Sequence, residues 1–157
     1  MRYALVYGLL AAGVIGAVIV SGIAFHLGGV FQTVWFGYLV MVVAMTFMFV
    51  GVKRYRDVEK GGVIRFLPAL LMGLAIGLVA VLAYVLIWEA YLAATHYAFI
   101  DAYFRGPEMA ELRAWYSNPL NRAFATAQEL APVALVMALF SAALLRNPRL
   151  LPAKRTP

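Results

Sequence analysis

The sequence predicts an all-α, polytopic membrane protein with four transmembrane helices and a short interfacial helix between helices three and four. Three observations carry that expectation. The 157 residues are 65% hydrophobic and 13% charged, whereas soluble domains are about half apolar and about a quarter charged. Four apolar stretches approach the roughly 20 residues a helix needs to cross the hydrocarbon core. The basic residues cluster on one side of those stretches. A soluble fold of this length would leave much of the apolar surface exposed. Helices are expected over strands because an open strand edge in lipid leaves backbone groups unpaired. Residues 1–157 read as a single domain.

The first stretch, Tyr3–Phe25, follows Arg2 and carries no charge. It exceeds the 7–15 apolar residues of a typical secretory leader, so it reads as a retained span. A short uncharged turn with Gly28 and Gly29 leads to the second stretch, Val34–Val52, closed by Lys53 and Arg54. The third runs from Ile64 to Tyr91, with a continuation to His96. The fourth is Ala125–Leu145, closed by Arg146.

Residues 97–122 form the connecting segment. Gly106-Pro107 opens a short helix there, with Glu108 and Glu111 in its first turn, where the helix dipole favours acids. Met109, Leu112, Trp115 and Tyr116 share one face by helical spacing, and Asn118-Pro119 ends the helix. It either lies flat on the leaflet or caps the bundle. Residues 146–157 hold three prolines among four basic residues and are expected to form a disordered basic tail near anionic headgroups.

The net charge of +6 reads as topology rather than nucleic-acid binding. Arg2, the group Lys53, Arg54, Arg56, Lys60 and Arg65, and the tail cations lie on one side. Only Arg105, Arg113 and Arg122 lie on the other. The cytoplasmic side carries the Lys and Arg excess, so both termini are expected in the cytoplasm. Trp35, Trp88 and Trp115 are then expected at or beyond the outer interface. Lys53, Arg54 and Arg56 are candidates for contact with lipid headgroups. Asp57 and Glu59 alternate with these cations and argue for a self-paired turn instead.

The absence of cysteine excludes disulfides, thiolate metal sites and cysteine nucleophiles. Small residues at four-residue spacing allow close helix approach in lipid. Helix one offers Ala12/Gly16 and Ala17/Ser21, and helix three offers Gly73/Gly77. Gly16, Gly73 and Gly77 are the packing candidates, either inside the bundle or between subunits.

An acid in a membrane span is a candidate functional site by default, because its charge is costly there. Glu89 is about 36 Å along helix three from Arg65, at 1.5 Å per residue. Glu129 lies about one turn inside the outer end of helix four, and the two are expected to share a depth. Pro132 frees the carbonyl of Gln128 beside Glu129. His96 follows Glu89 by two turns on the same face, and His26 ends helix one.

A polar cluster of Glu89, Glu129, His96 and His26 is therefore permitted at the outer interface. Imidazole and carboxylate ligands suit zinc or iron, but no short metal motif such as His-Glu-x-x-His occurs. Interfacial histidines are also ordinary polar anchors. No metal site, cofactor or catalytic residue is assigned. Neither a Gly-x-Ser-x-Gly elbow nor a P-loop is present. Asp101 and Arg105, four apart, are expected to form a surface pair.

Several stretches resemble a family of small bacterial inner-membrane proteins filed as domain of unknown function forty-one ninety-nine. They are Gly37-Tyr-Leu-Val-Met41 with Phe49-Val-Gly-Val-Lys-Arg-Tyr-Arg-Asp57, Gly61-Gly-Val-Ile-Arg-Phe66, and Tyr116-Ser-Asn-Pro-Leu120 with Glu129-Leu-Ala-Pro132 and Ser141-Ala-Ala-Leu-Leu-Arg146. The resemblance spans nearly the whole chain. It implies a bacterial four-helix protein with an outward segment before the last helix, and it implies no activity. Glu129-Leu-Ala-Pro132 departs from the Glu-Pro that such proteins often show there.

Three functions are compatible with these features. The first is a non-catalytic protein of the bacterial inner membrane that works by self-assembly or as an accessory subunit. Its partners would be lipid, anionic headgroups, further copies or another membrane protein. The second is an oligomeric channel or small-solute transporter subunit using Glu89 and Glu129. The third is an outer-face metal-binding or enzymatic site.

Overall fold

The computed structural model describes residues 1–25, 28–29 and 33–153. Four long helices form its bundle: α1 (Arg2–Ala24), α2 (Val34–Glu59), α3 (Phe66–Ala94) and, last in the chain, α6 (Pro119–Leu145). Each is long and apolar enough to cross a membrane. Between α3 and α6 lie α4 (Ala98–Tyr103), a 3-10 turn over Pro107–Met109, and α5 (Ala110–Ser117). The expected short helix is thus present, and Asn118-Pro119 separates it from the last span. Four antiparallel passes place the start of α1 and the end of α6 at one end of the bundle, the tail end. α4 and α5 occupy the opposite, cap end.

Two boundaries differ from the sequence reading. α2 runs on to Glu59, so Lys53, Arg54 and Arg56 are helical rather than in a turn. An ion pair from Lys53 to Asp57 at 2.5 Å, four residues on, supports the extra turns. α6 starts at Pro119, ahead of the expected Ala125. Asn118 caps it, its side-chain oxygen accepting from the Leu120 N–H at 2.9 Å, and Pro119 enters with its φ already helical.

Packing follows the small residues. α3 lies between α1 and α6, and α2 packs against both from the other side. A Cβ at Gly73 would come within 3.0 Å of the Ala138 Cβ, and one at Gly77 within 3.1 Å of the Ala134 Cβ. On α1, Gly8 and Gly16 meet Val79 and Ile87 of α3 in the same way, each at 2.7 Å. Close backbone approach multiplies dispersion contacts where lipid supplies no hydrophobic drive. The outward faces are apolar: Leu67, Leu71, Leu78, Leu82 and Leu86 stand exposed along α3.

Arg56 corrects two expectations. It is fully buried instead of reaching lipid headgroups. Its Nε donates to Asp57 Oδ1 at 2.7 Å, one terminal nitrogen to the Leu150 carbonyl at 3.1 Å, and the other to the Leu151 carbonyl. A buried guanidinium is tolerable only when its donors are matched in this way. Residues 146–153, expected to begin a disordered tail, therefore fold back against the α2–α3 turn. Gly62 in that turn has φ +88 and sits beside Ala153, so both its backbone and its neighbour call for glycine. Residues 154–157 lie outside the described part.

Candidate functional site

The cap end begins where α3 stops. The Tyr97 N–H donates to the Leu92 carbonyl at 2.7 Å and the His96 N–H to the Ala93 carbonyl at 3.1 Å. These two bonds make a Schellman turn. His96 (φ +51) and Tyr97 (φ +59) both occupy the left-handed region that glycine usually fills. His96 is therefore the exposed corner of a helix stop.

Arg122 organises the rest of the cap. Its guanidinium is buried, with 2% of the side chain exposed, and grips Glu89 of α3 through two bonds, Nε to Oε1 at 2.6 Å and Nη2 to Oε2 at 2.8 Å. Its remaining terminal nitrogen donates to the carbonyls of Tyr116 at 3.2 Å and Ser117 at 3.3 Å, at the end of α5. The Tyr97 ring packs 5.2 Å from the guanidinium carbon. One side chain thus ties α3, α5 and α6 together. The pair continues the antiparallel register in which Gly73 faces Ala138 and Gly77 faces Ala134.

That register separates the two acids. Glu129 lies seven residues beyond Arg122, about 10 Å deeper along the bundle at 1.5 Å per residue. Glu89 and Glu129 do not share a depth, and Glu89 is already neutralised. Among the described residues no group of three or more His, Cys, Asp or Glu is placed to hold a metal ion. The expected cluster therefore does not assemble there; His26 lies outside the described residues. Asp101 pairs with Arg113, twelve residues on, rather than with Arg105. That ion pair sits at an open depression of about 570 Å³ between α4 and α5.

Below the cap lies a cavity of about 490 Å³, reached by α1, α2, α3, α4, α5 and α6. Its walls are Ile19, Ile23, Val34, Gly37, Tyr38, Met41, Tyr84, Trp88, Phe99, Tyr103, Phe104, Leu112, Tyr116, Thr126 and Glu129. Seven of these fifteen are aromatic. Trp88 was expected at the lipid interface and instead is buried among Leu92, Ile100 and Phe104. Its indole N–H donates to the Tyr116 hydroxyl at 3.1 Å, and Phe99 meets it edge-on at 5.1 Å. Burial pushes the Tyr116 phenol above its ordinary pKa, so it stays neutral near pH 7.

Glu129 is the single acid in this wall. It is exposed and forms no ion pair with another described residue. Sequence reasoning singled out Glu129 and Glu89 but missed Arg122. The signal that could have found it was Asn118-Pro119 read as a helix start, which puts Arg122 in a first turn where the dipole disfavours a cation.

The family described as "Protein of unknown function (DUF4199)" matches residues 3–147. The chain belongs to that family. The match takes in all four spans and the cap, so the bundle and its cavity both fall within the matched region. No curated protein and no solved structure matches the chain.

Proposed function

We propose that this protein is a multi-pass component of the bacterial inner membrane, with both termini in the cytoplasm, that acts by assembly. It works as a homo-oligomer or as an accessory subunit of a membrane complex. One observation supports this reading above others. α1 carries two small-residue faces, and the bundle uses only the one holding Gly8, Ala12 and Gly16. The other presents Gly13, Ala17 and Ser21 at four-residue spacing, all exposed, with nothing within 4 Å of a Cβ at Gly13. Such a face is what a second membrane helix packs against. The orientation rests on the excess of Lys and Arg at the tail end.

An oligomeric channel or small-solute transporter is the second reading. It has lost Glu89 to Arg122 and rests on Glu129 in its cavity.

The chain has no cysteine, so single cysteines report cleanly. Oxidation of Gly13→Cys in native membranes is expected to give a cross-linked product at twice 17.2 kDa or heavier. Leu82→Cys, on the lipid-facing ridge of α3, is expected to stay uncrosslinked. Equal behaviour of the two variants contradicts assembly through α1. On intact cells, an impermeant thiol reagent should label Arg113→Cys and spare Arg149→Cys; the reverse pattern overturns the orientation.

A further inference from the structure

We propose that the cap-end cavity binds a lipophilic organic cation, an ammonium group joined to an apolar body. The inference is independent of the assembly reading. A cavity of about 490 Å³ lies within the roughly 300–1,000 Å³ of small-molecule sites. Its wall holds seven aromatic residues beside Glu129, Tyr84 and Tyr116 among them, and aromatic rings attract a positive charge. In its ionised form, which a cation bound beside it favours, Glu129 supplies the opposite charge.

No described cation neutralises Glu129. Arg122, the nearest along α6, is committed to Glu89 and two carbonyls. Glu129 also lies about 10 Å inside the level of that pair, within a helix long and apolar enough to cross a membrane. A carboxylate at that depth calls for a positive partner.

The wall decides what kind of cation. Calcium and magnesium ions require several oxygen ligands, carboxylates foremost, and the cavity offers one carboxylate beside the neutral hydroxyls of Thr126 and four tyrosines. An anion would be repelled by Glu129. An apolar neutral molecule would fill the space and leave the acid unmatched. An organic ammonium satisfies both surfaces. It has two sources, a free amine or the headgroup of an aminophospholipid, and the test separates them.

The protein is reconstituted in nanodiscs of phosphatidylglycerol and titrated with tetraphenylphosphonium and with tetraphenylborate, which share a shape and differ in charge. Empty nanodiscs supply the background. Saturable phosphonium binding, about tenfold or more tighter than borate, is expected, because desolvated cation–π and coulombic contacts contribute about a factor of ten or more. Glu129→Gln should remove that preference, and Glu129→Lys should reverse it.

A doubly substituted chain, Trp35→Phe with Trp115→Phe, leaves Trp88 as the sole indole and keeps Glu129 intact. Its emission should respond to phosphonium and not to borate, whether or not the Glu129 variants fold. Absence of saturable binding, or a folded Glu129→Gln chain that binds phosphonium as tightly as the parent, overturns the proposal. Repeating the titration at one fixed share of phosphatidylglycerol, with the remainder either phosphatidylcholine or phosphatidylethanolamine, holds the surface charge constant and names the source. The effect of phosphatidylethanolamine is read against phosphatidylcholine. Weakened probe binding assigns the lipid headgroup, and unchanged binding assigns a free amine.

Discussion

Arg122 is placed against the helix dipole and out of solvent, two costs that its two-point grip on Glu89 offsets. Removing one partner of a buried pair leaves the other charge uncompensated, which costs about 3–5 kcal/mol. Glu89 keeps 27% of its side chain exposed, so the lower end applies. Arg122→Leu should therefore lower stability by about 3 kcal/mol, read from unfolding in micelles. Glu89→Gln should cost less, because it leaves the carbonyls of Tyr116 and Ser117 bonded. A stability of Arg122→Leu within about 0.5 kcal/mol of the parent would show that the pair does not hold the cap.

His96 gives a prediction of opposite sign. A left-handed residue other than glycine costs about 1–2 kcal/mol, offset by the extra freedom glycine has when unfolded. His96→Gly should raise stability by roughly 0.5–1 kcal/mol, seen as a higher unfolding midpoint. A fall would mean that the imidazole makes a contact essential to the cap. At this scale the sequence shows which groups are costly and not how the cost is met. Glu89 and Glu129 stood out as acids in apolar spans. Their different fates depend on an α3–α6 register linking residues 33 apart.

At the scale of helices, the apolar runs made all four spans legible because lipid imposes length and composition directly. Helix ends were less legible. Lys53 and Arg54 looked like a stop, yet i,i+4 pairing and the buried Arg56 carry α2 on to Glu59. Helix rotation was not legible at all. Ala12/Gly16 and Ala17/Ser21 follow the same spacing, and only packing against α3 shows which pair faces inward. Two substitutions on glycines separate inside from outside. Gly77→Leu must displace Ala134 or Met48, each 3.1 Å from its Cβ, and should destabilise by about 1–3 kcal/mol as overpacking does. Gly13→Leu meets open space and should leave unfolding unchanged while weakening assembly. Equal destabilisation by the two would contradict this assignment of faces.

At the scale of the molecule, charge and hydrophobicity set the architecture. Basic residues gather at the tail end, and seven aromatic residues line the cavity beneath the cap. The cavity was the least legible feature, because it is built from all six helices and no short motif encodes it. Trp88 reads as an interfacial residue and Tyr116 as part of a short helix's face until the cap folds onto α3 and joins them. The mass of the intact protein released gently from its own membrane tests the central claim most directly. Assembly predicts multiples of 17.2 kDa, or that mass with an additional protein, and a shift toward single chains for Gly13→Leu. A parent protein that leaves the membrane only as single 17.2 kDa chains would contradict it.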